Sequence, residues 1–127
     1  MTLTDDVASD PPFHGTAGWA GIPLRDGTTL PAYRAAPTGR ALAPVLLAHD
    51  IFGMRPFYEA LARRLATAGF AALVPDFFFR QGAVPDASIE TAVVRRTHLD
   101  EKNTLVDLAT ALEWLRRTPD YRGRIGT

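Results

Sequence analysis

Two short, wholly apolar segments separated by a helical period constrain the fold of this sequence more than any other feature. Val45 to Ala48 and Phe70 to Pro75 show no polar alternation, which is typical of strands buried on both faces of a parallel sheet. Apolar residues recur between them at helical spacing: Phe57, Leu61, Leu65 and Ala68. Gly69 lies where a helix commonly ends. The order strand, helix, strand predicts a right-handed parallel crossover and therefore an α/β sheet.

A hairpin is predicted before this unit. Ala17 to Leu24 is a candidate strand, and the turn Arg25 to Thr28 contains an Asp-Gly pair that tolerates the positive φ angles of a tight hairpin. Thr29 to Ala36 is the returning strand. Residues 1–14 are expected to form a flexible polar tail, which leaves residues 15–127 as one partial domain.

Two helices are predicted after the second apolar strand. Asp86 can cap the first, and Asp100 can cap the second. The second helix carries one apolar stripe, which we expect to be core: Leu105, Leu108, Ala109, Leu112 and Leu115. Pro119 stops that helix. A turn then enters a strand near Arg124, which we expect to be cut after about three residues, shorter than is usual.

Composition excludes several classes of function. The 127 residues are 46% apolar, and 14 basic residues balance 14 acidic ones, so no strong field points to nucleic acid or to an anionic membrane. The chain contains no cysteine, which excludes disulfides, thiolate metal sites and a cysteine nucleophile within it. The N-terminus lacks a basic and apolar leader, and no run approaches a bilayer span. We therefore expect a cytoplasmic location.

Ionisable groups follow the first apolar strand. His49 and Asp50 lie at its carboxyl end, where ligands bind in open α/β sheets. Gly53 permits a tight turn, and free backbone N–H groups of this loop could stabilise an oxyanion. The alternative is structural, with Asp50 only capping the helix and His49 a satisfied histidine under the loop. Position alone does not separate the two interpretations.

Other candidate sites are weaker. The three histidines are too far apart in sequence to place two on one helical face, which disfavours a metal site: His14, His49 and His98. The segment Gly15 to Gly21 lacks the G-x-G-x-x-G spacing of dinucleotide sites and precedes no helix. Ser9 lies in the polar tail and Ser88 in a helix-start context without flanking glycines, so we interpret both as structural.

The segment Pro44 to Gly82, "PVLLAHDIFGMRPFYEALARRLATAGFAALVPDFFFRQG", resembles the dienelactone hydrolase family, a branch of the α/β-hydrolases. In that family a strand ends in a carboxylate followed by Ile-Phe-Gly. After a helix come a Gly-aromatic-Ala strand and a Pro-Asp step, which Gly69 to Ala71 and Pro75-Asp76 match. The flanking hairpin and C-terminal helix resemble the family more weakly.

The resemblance implies hydrolysis of a lactone or carboxylic ester, a small-molecule substrate, by a nucleophile, histidine and aspartate triad without a cofactor. The nucleophile, usually cysteine, lies in a G-x-C-x-G elbow that follows a segment resembling "GRIGT". The expectation is therefore the N-terminal half of an α/β-hydrolase fold, truncated before the elbow. Such a chain would lack the nucleophile, acid and base, and we expect it to be inactive alone.

Three residues acquire roles through the resemblance. Asp50 matches a carboxylate, usually glutamate, that contacts the resting nucleophile and helps to set its protonation; aspartate is one methylene shorter. Ile51 matches the residue whose backbone N–H contributes to the oxyanion hole. Arg95 is a candidate for the arginine that binds a substrate carboxylate, and a surface arginine is the alternative.

Two other classes of protein compete with the truncated hydrolase. A non-catalytic binding or assembly module derived from the same fold would carry polar replacements at apolar sheet positions, and Val45 to Ala48 and Phe70 to Val74 have none. A doubly wound phosphate-binding protein would need a glycine-rich loop where this chain has His49 to Met54. If the sheet lacks its next strand, we expect self-association through the exposed edge.

Overall fold

The computed structural model describes residues 13–82 and 88–117. Its elements follow one another as β1 (Thr16–Pro23), β2 (Thr29–Ala36), β3 (Pro44–Leu46), α1 (Pro56–Thr67), β4 (Ala71–Pro75), a 3-10 turn (Phe79–Gln81), α2 (Ile89–Thr97) and α3 (Glu101–Arg116). The strand predicted near Arg124 and residues 1–12 of the predicted tail lie outside the described residues. No helix in residues 13–82 and 88–117 has the length and apolar character that crossing a membrane requires.

The predicted hairpin is confirmed. β1 and β2 pair antiparallel along their whole length. In the turn, the Leu24 N–H donates to the Thr28 carbonyl at 2.9 Å, and Gly27 has a φ of 86°. The Asp26 carboxylate accepts the Thr28 N–H at 2.9 Å. An Asp-Gly pair suits this turn because glycine takes the left-handed conformation without steric cost and aspartate bonds the backbone two residues on.

The sheet confirms the predicted parallel crossover. Its order is β1-β2-β4-β3, with β3 parallel to β4 and β2 antiparallel to β4. β3 is shorter than predicted and ends at Leu46. The Leu47 N–H still bonds the Leu73 carbonyl at 2.8 Å, but Ala48 is exposed because the chain there leaves the sheet to form a loop. Side chains of β2 and β4 alternate between two cores.

Helices cover both faces of the sheet. One core lies between the sheet and α3: Ile22, Leu24, Leu30, Ala32, Leu46, Leu73, Ala111 and Leu115. The other lies between the sheet and α1: Tyr33, Ala35, Tyr58, Ala62, Ala66, Ala72 and Val74. Leu73 faces the first core and its neighbours in β4 face the second. This arrangement leaves the carboxyl ends of β3 and β4 side by side, where the loop that follows β3 meets the loop that follows β4.

The buried face of α1 differs from the predicted stripe. The helix begins with Pro56 and is followed by Gly69, whose φ of 103° ends it as expected. Its buried residues are Tyr58, Ala60, Ala62 and Ala66, whereas Phe57, Leu61 and Leu65 are only partly buried and Ala68 is exposed. Small alanine side chains meet the sheet, so the larger residues pack at the margins of that contact.

The two later helices correct two predictions. Asp100 caps α3 as predicted, accepting the Asn103 N–H at 3.2 Å, but the N-cap of α2 is Ser88, which accepts the Thr91 N–H at 3.1 Å. Asp86 itself lies outside the described residues. The stripe on α3 is core only toward its C-terminal end, where Leu115 is buried; Leu105 is 59% exposed and Ala109 is also exposed. The reason is that only the C-terminal half of α3 packs on the sheet.

Candidate functional site

The loop that follows β3 turns sharply at a glycine. Gly53 is buried and has a φ of 82°, and its N–H donates to the Asp50 carbonyl at 3.0 Å. A positive φ favours glycine because other residues bring Cβ too close to the following carbonyl. The turn therefore places the backbone of residues 50–53 at the carboxyl end of the parallel strands, where open α/β sheets bind ligands.

The Asp50 carboxylate holds this turn and is bound to an arginine. One oxygen accepts the Phe52 N–H at 3.0 Å, and the other accepts from Arg55 Nη2 at 2.9 Å. Both side chains are about half exposed, at 45% and 42%, so solvent screens the pair. The N-cap of α1 is Arg55, without a side-chain cap bond. The interpretation of Asp50 as a helix cap is therefore wrong, because its carboxylate stabilises the turn that precedes the helix.

The His49 ring is buried and fully bonded. Its side chain is 3% exposed. The Phe77 N–H donates to Nε2 at 2.9 Å, and Nδ1 lies 2.9 Å from the Asp50 carbonyl oxygen. Because an amide N–H can only donate, Nε2 must accept, and the network places the proton of a neutral ring on Nδ1. The prediction of a satisfied histidine under the loop is confirmed, and neither nitrogen is free to act as a base.

The loop after β3 contains an unpaired backbone donor at Ile51. The Asp50 N–H donates to the Tyr58 hydroxyl at 2.9 Å, and the N–H groups of Phe52 and Gly53 bond Asp50. The Ile51 N–H has no hydrogen-bond partner within residues 13–82 and 88–117. The N–H groups of the two residues that flank Ile51 are therefore bonded, whereas the Ile51 N–H itself is available at the strand ends.

Arg95 reaches this region from α2. Only 7% of the residue is exposed, so the alternative of a surface arginine is wrong. Nη2 donates to the carbonyls of Gly82 at 2.8 Å and Phe78 at 3.3 Å, and the guanidinium lies 4.8 Å from the centre of the Phe78 ring. Nη1 is buried and has no partner among the described residues. Arg95 therefore holds the segment after β4 while keeping unused hydrogen-bonding capacity.

A cavity of about 240 Å³ brings several of these groups together. It lies between the β3 loop and the segment after β4, and its lining includes Gly53, Arg55, Asp76 and Arg95. Arg55 Nε, like Arg95 Nη1, is buried without a partner in the part of the chain that the structure describes. Buried guanidinium N–H groups favour an anionic group beside them. Within the same residues, no cluster of three or more His, Cys, Asp or Glu side chains could hold a metal ion.

Sequence reasoning missed Arg55 and Tyr58 as partners of Asp50. Arg55 stands directly before Pro56, the first residue of α1, and that position at a helix start was its only signal. Tyr58 fits a helical apolar pattern, so its hydroxyl bond to Asp50 could not be recognised from spacing. Asp76, in the Pro-Asp step, also lines the cavity, and its carboxylate accepts the Phe78 N–H at 3.0 Å.

A second charged cluster lies apart from the cavity. Arg80 donates to Asp107, which is 5% exposed, and to Asp26 in the hairpin turn at 3.0 Å. The Thr28 hydroxyl, the Thr28 N–H and then Arg80 lower the pKa of Asp26 from 3.8 to about 2. The carboxylates in turn raise the pKa of Arg80, and the bond to Asp107 is the largest cause. Through Arg80, this cluster links Asp26 in the hairpin turn to Asp107 in α3.

Comparison with known proteins gives this geometry a family context. The model of the dienelactone hydrolase family matches residues 30–127. A carboxymethylenebutenolidase of Rhodococcus opacus is 38% identical over 76 residues, which are 60% of this chain and 30% of the relative. Carboxymethylenebutenolidase 1 of Cupriavidus pinatubonensis is 32% identical over 110 residues, 82% of this chain and 47% of the relative.

A solved structure agrees with these relatives. The crystal structure of a candidate dienelactone hydrolase from Klebsiella pneumoniae superposes with a TM-score of 0.79 at 30% identity, covering 88% of this chain and 48% of that one. The fold is that of the α/β-hydrolases. This chain spans less than half the length of each of the three proteins. Because the family model covers well over half of the chain, the chain belongs to the dienelactone hydrolase family.

Proposed function

We propose that this chain forms the oxyanion side of the active site in a hydrolase of lactones or carboxylic esters. The observation that carries the proposal is the unpaired Ile51 N–H, beside the Asp50 carboxylate at the carboxyl end of β3. The names of the curated relatives, carboxymethylenebutenolidases, support a lactone substrate. The substrate is accordingly a small molecule and not a nucleic acid or a membrane.

The proposed chemistry needs a fixed donor. Attack of a nucleophile on the ester carbonyl forms a tetrahedral intermediate with a negatively charged oxygen, and its collapse breaks the bond to the leaving oxygen. A backbone N–H placed for that oxyanion stabilises it, and the loss of one such donor typically lowers kcat about 10²–10³-fold. Ile51 would supply this N–H, and its side chain would contribute packing alone. The N–H groups of Phe52 and Gly53 already bond Asp50.

Asp50 would act on the nucleophile from the same loop. In the proposed enzyme the nucleophile, acid and base come from residues outside the described part, and the nucleophile is a cysteine or a serine. A carboxylate beside it helps to set its protonation. Here the carboxylate is held by Arg55 and by the turn. Asp50 would therefore contact the nucleophile from the edge of the loop or through a bridging water. The shorter aspartate fits such an indirect contact.

Arg95 would bind a carboxylate on the substrate. Its guanidinium is already oriented by two carbonyls and by the Phe78 ring. Arg95 lines the cavity, and its buried Nη1 has no partner among the described residues. A preoriented guanidinium donates charge-assisted hydrogen bonds to a carboxylate. We expect substrates that bear a carboxylate to be hydrolysed faster than their neutral methyl esters.

Hydrolysis kinetics test this function. In a form of the protein that includes the nucleophile elbow, Asp50→Asn should lower kcat/KM at least about tenfold, or roughly 1.4 kcal/mol of transition-state stabilisation. Asp100→Asn is the matched control, because it makes the same chemical change at the N-cap of α3, away from the loop. Unchanged kinetics for Asp50→Asn would mean that Asp50 only holds the turn.

Residues 1–127 alone should show no turnover above background, because a triad lacking all its members retains little catalysis. Hydrolysis of an activated ester by this polypeptide, abolished by Asp50→Ala, would require a nucleophile within the chain and would contradict the proposal. If forms containing the elbow bind lactones without hydrolysing them, the chain is instead part of a non-catalytic binding module.

A further inference from the structure

The peptide unit between Asp50 and Ile51 is held through its carbonyl group. His49 Nδ1 lies 2.9 Å from the Asp50 carbonyl oxygen, and the Gly53 N–H donates to the same oxygen at 3.0 Å. A carbonyl oxygen has two lone pairs, so these two donors satisfy it. In a planar trans peptide, the C=O and the following N–H point in opposite directions. The two bonds to the Asp50 carbonyl therefore also set the direction of the Ile51 N–H.

The His49 ring is itself anchored to the neighbouring strand. The Phe77 N–H, directly after the Pro75-Asp76 step that ends β4, donates to Nε2 at 2.9 Å. The ring lies 5.2 Å from the Phe78 ring, centre to centre, and its side chain is 3% exposed. A ring that is bonded at both nitrogens and packed against neighbouring aromatic rings has little freedom to rotate. It thus joins the loop after β3 rigidly to the loop after β4.

We infer that His49 is a positioning residue for the proposed hydrolysis, and this inference rests on the proposed function. Because its ring is anchored at the end of β4, it holds the Asp50–Ile51 peptide in one orientation. The Ile51 N–H is thereby directed toward the site of the oxyanion. His49 neither touches the substrate nor moves a proton, because both ring nitrogens are occupied by backbone groups. Fixed donors are effective because they need no reorganisation during the reaction, and a misplacement of about 1 Å can cost roughly 10²-fold in rate.

Two substitutions separate the hydrogen bonds of His49 from its volume. His49→Gln keeps one acceptor and one donor on a single side-chain end, whereas His49→Phe keeps an aromatic ring and has neither. Tyr33→Phe is the control for a lost hydrogen bond near α1, because it removes the bond from Arg63 Nη1 to the Tyr33 hydroxyl, 2.8 Å long, without touching the loop.

The kcat and KM values of the variants, measured in a form of the protein that hydrolyses esters, should differ between His49→Phe and the other two variants. His49→Phe should lower kcat at least about tenfold with KM within about threefold of wild type, because the oxyanion forms only in the transition state. It should weaken binding of a trifluoromethyl ketone, which forms a tetrahedral adduct, by a similar factor. His49→Gln and Tyr33→Phe should stay within about threefold of wild type. Wild-type kinetics for His49→Phe, or equal impairment of His49→Gln, would overturn the inference.

Nuclear magnetic resonance tests the same link without hydrolysis. In ¹⁵N spectra, His49→Phe should shift the Ile51 amide resonance and accelerate hydrogen exchange at the Phe77 N–H, while His49→Gln and Tyr33→Phe leave both near their wild-type values. An Ile51 resonance that does not move in His49→Phe overturns the inference whether or not the protein is active. If no form hydrolyses an ester and Ile51 nevertheless shifts, the proposed function fails and His49 still positions the loop.

Discussion

Replacement of Gly53 by alanine should introduce two separate penalties. The φ of 82° lies in the left-handed region, which costs a residue with a Cβ about 1–2 kcal/mol. An added Cβ would also lie 3.1 Å from Cδ2 of Phe78, a buried ring that is 2% exposed. Moving a packed ring typically costs about 1–3 kcal/mol. We therefore expect Gly53→Ala to lower the free energy of unfolding by about 2–5 kcal/mol.

Gly27 provides a matched control in the hairpin turn. Its φ of 86° is nearly the same, but a Cβ added there meets no atom of the described residues within 4 Å. Gly27→Ala should therefore cost about 1–2 kcal/mol, the backbone penalty alone. The difference between the two variants measures the steric contact with Phe78.

Urea denaturation measures both costs, and ester hydrolysis supplies an independent readout. The Phe78 ring lies 5.2 Å from the His49 ring and 4.8 Å from the Arg95 guanidinium, so its displacement should also lower kcat/KM. Gly27→Ala should leave kcat/KM unchanged. Equal destabilisation by the two substitutions would refute the steric reasoning, and full stability of Gly27→Ala would refute the backbone penalty.

Three predictions concern pH, charge and assembly. The folded pKa of Asp26 is lowered from 3.8 to about 2, so its contribution to stability is complete above about pH 4 and is lost as the pH falls toward 2. Asp26→Asn should make the unfolding midpoint less dependent on pH over that range. An unaltered pH dependence would show that Asp26 does not contribute to stability in this way. Arg80→Met leaves the buried Asp107 without its partner and should lower the free energy of unfolding by about 2–4 kcal/mol. Adding Asp107→Leu to this variant should restore part of the lost stability. If the effects of the two substitutions are instead fully additive, the two side chains are not coupled. We also propose that residues 1–127 self-associate through β3, which within the described residues pairs on one side only. Val45→Lys should then reduce the sedimentation coefficient, and a well-folded wild-type monomer would contradict the proposal.

Local sequence signals predicted the elements of the fold well. The Asp26-Gly27 turn and the all-apolar strands around α1 depend on neighbouring residues and on chain periodicity, and the structure contains them at nearly the predicted bounds. The faces that become buried were predicted less well. On α1 the alanines face the sheet, and on α3 the exposed Leu105 belongs to a stripe that the sheet covers only in part. Periodicity identifies an apolar face but does not state how far along the helix its partner extends.

The loop after β3 was also predicted only in part: its position followed from the sequence, but the hydrogen bonds of its single atoms did not. The place of Asp50 followed from an apolar strand that stops at polar residues, since such strand ends meet at one edge of the sheet. Ile51 was identified only through the resemblance to the dienelactone hydrolase family. The free state of the Ile51 N–H did not follow, because it depends on which neighbouring N–H groups are already bonded. One of the bonds that set its direction passes through His49 to Phe77, 28 residues along the chain. Burial of Arg95 likewise depends on carbonyls in the segment after β4. The family resemblance therefore indicates the peptide that carries the donor, whereas the orientation of that donor is determined by contacts between two loops.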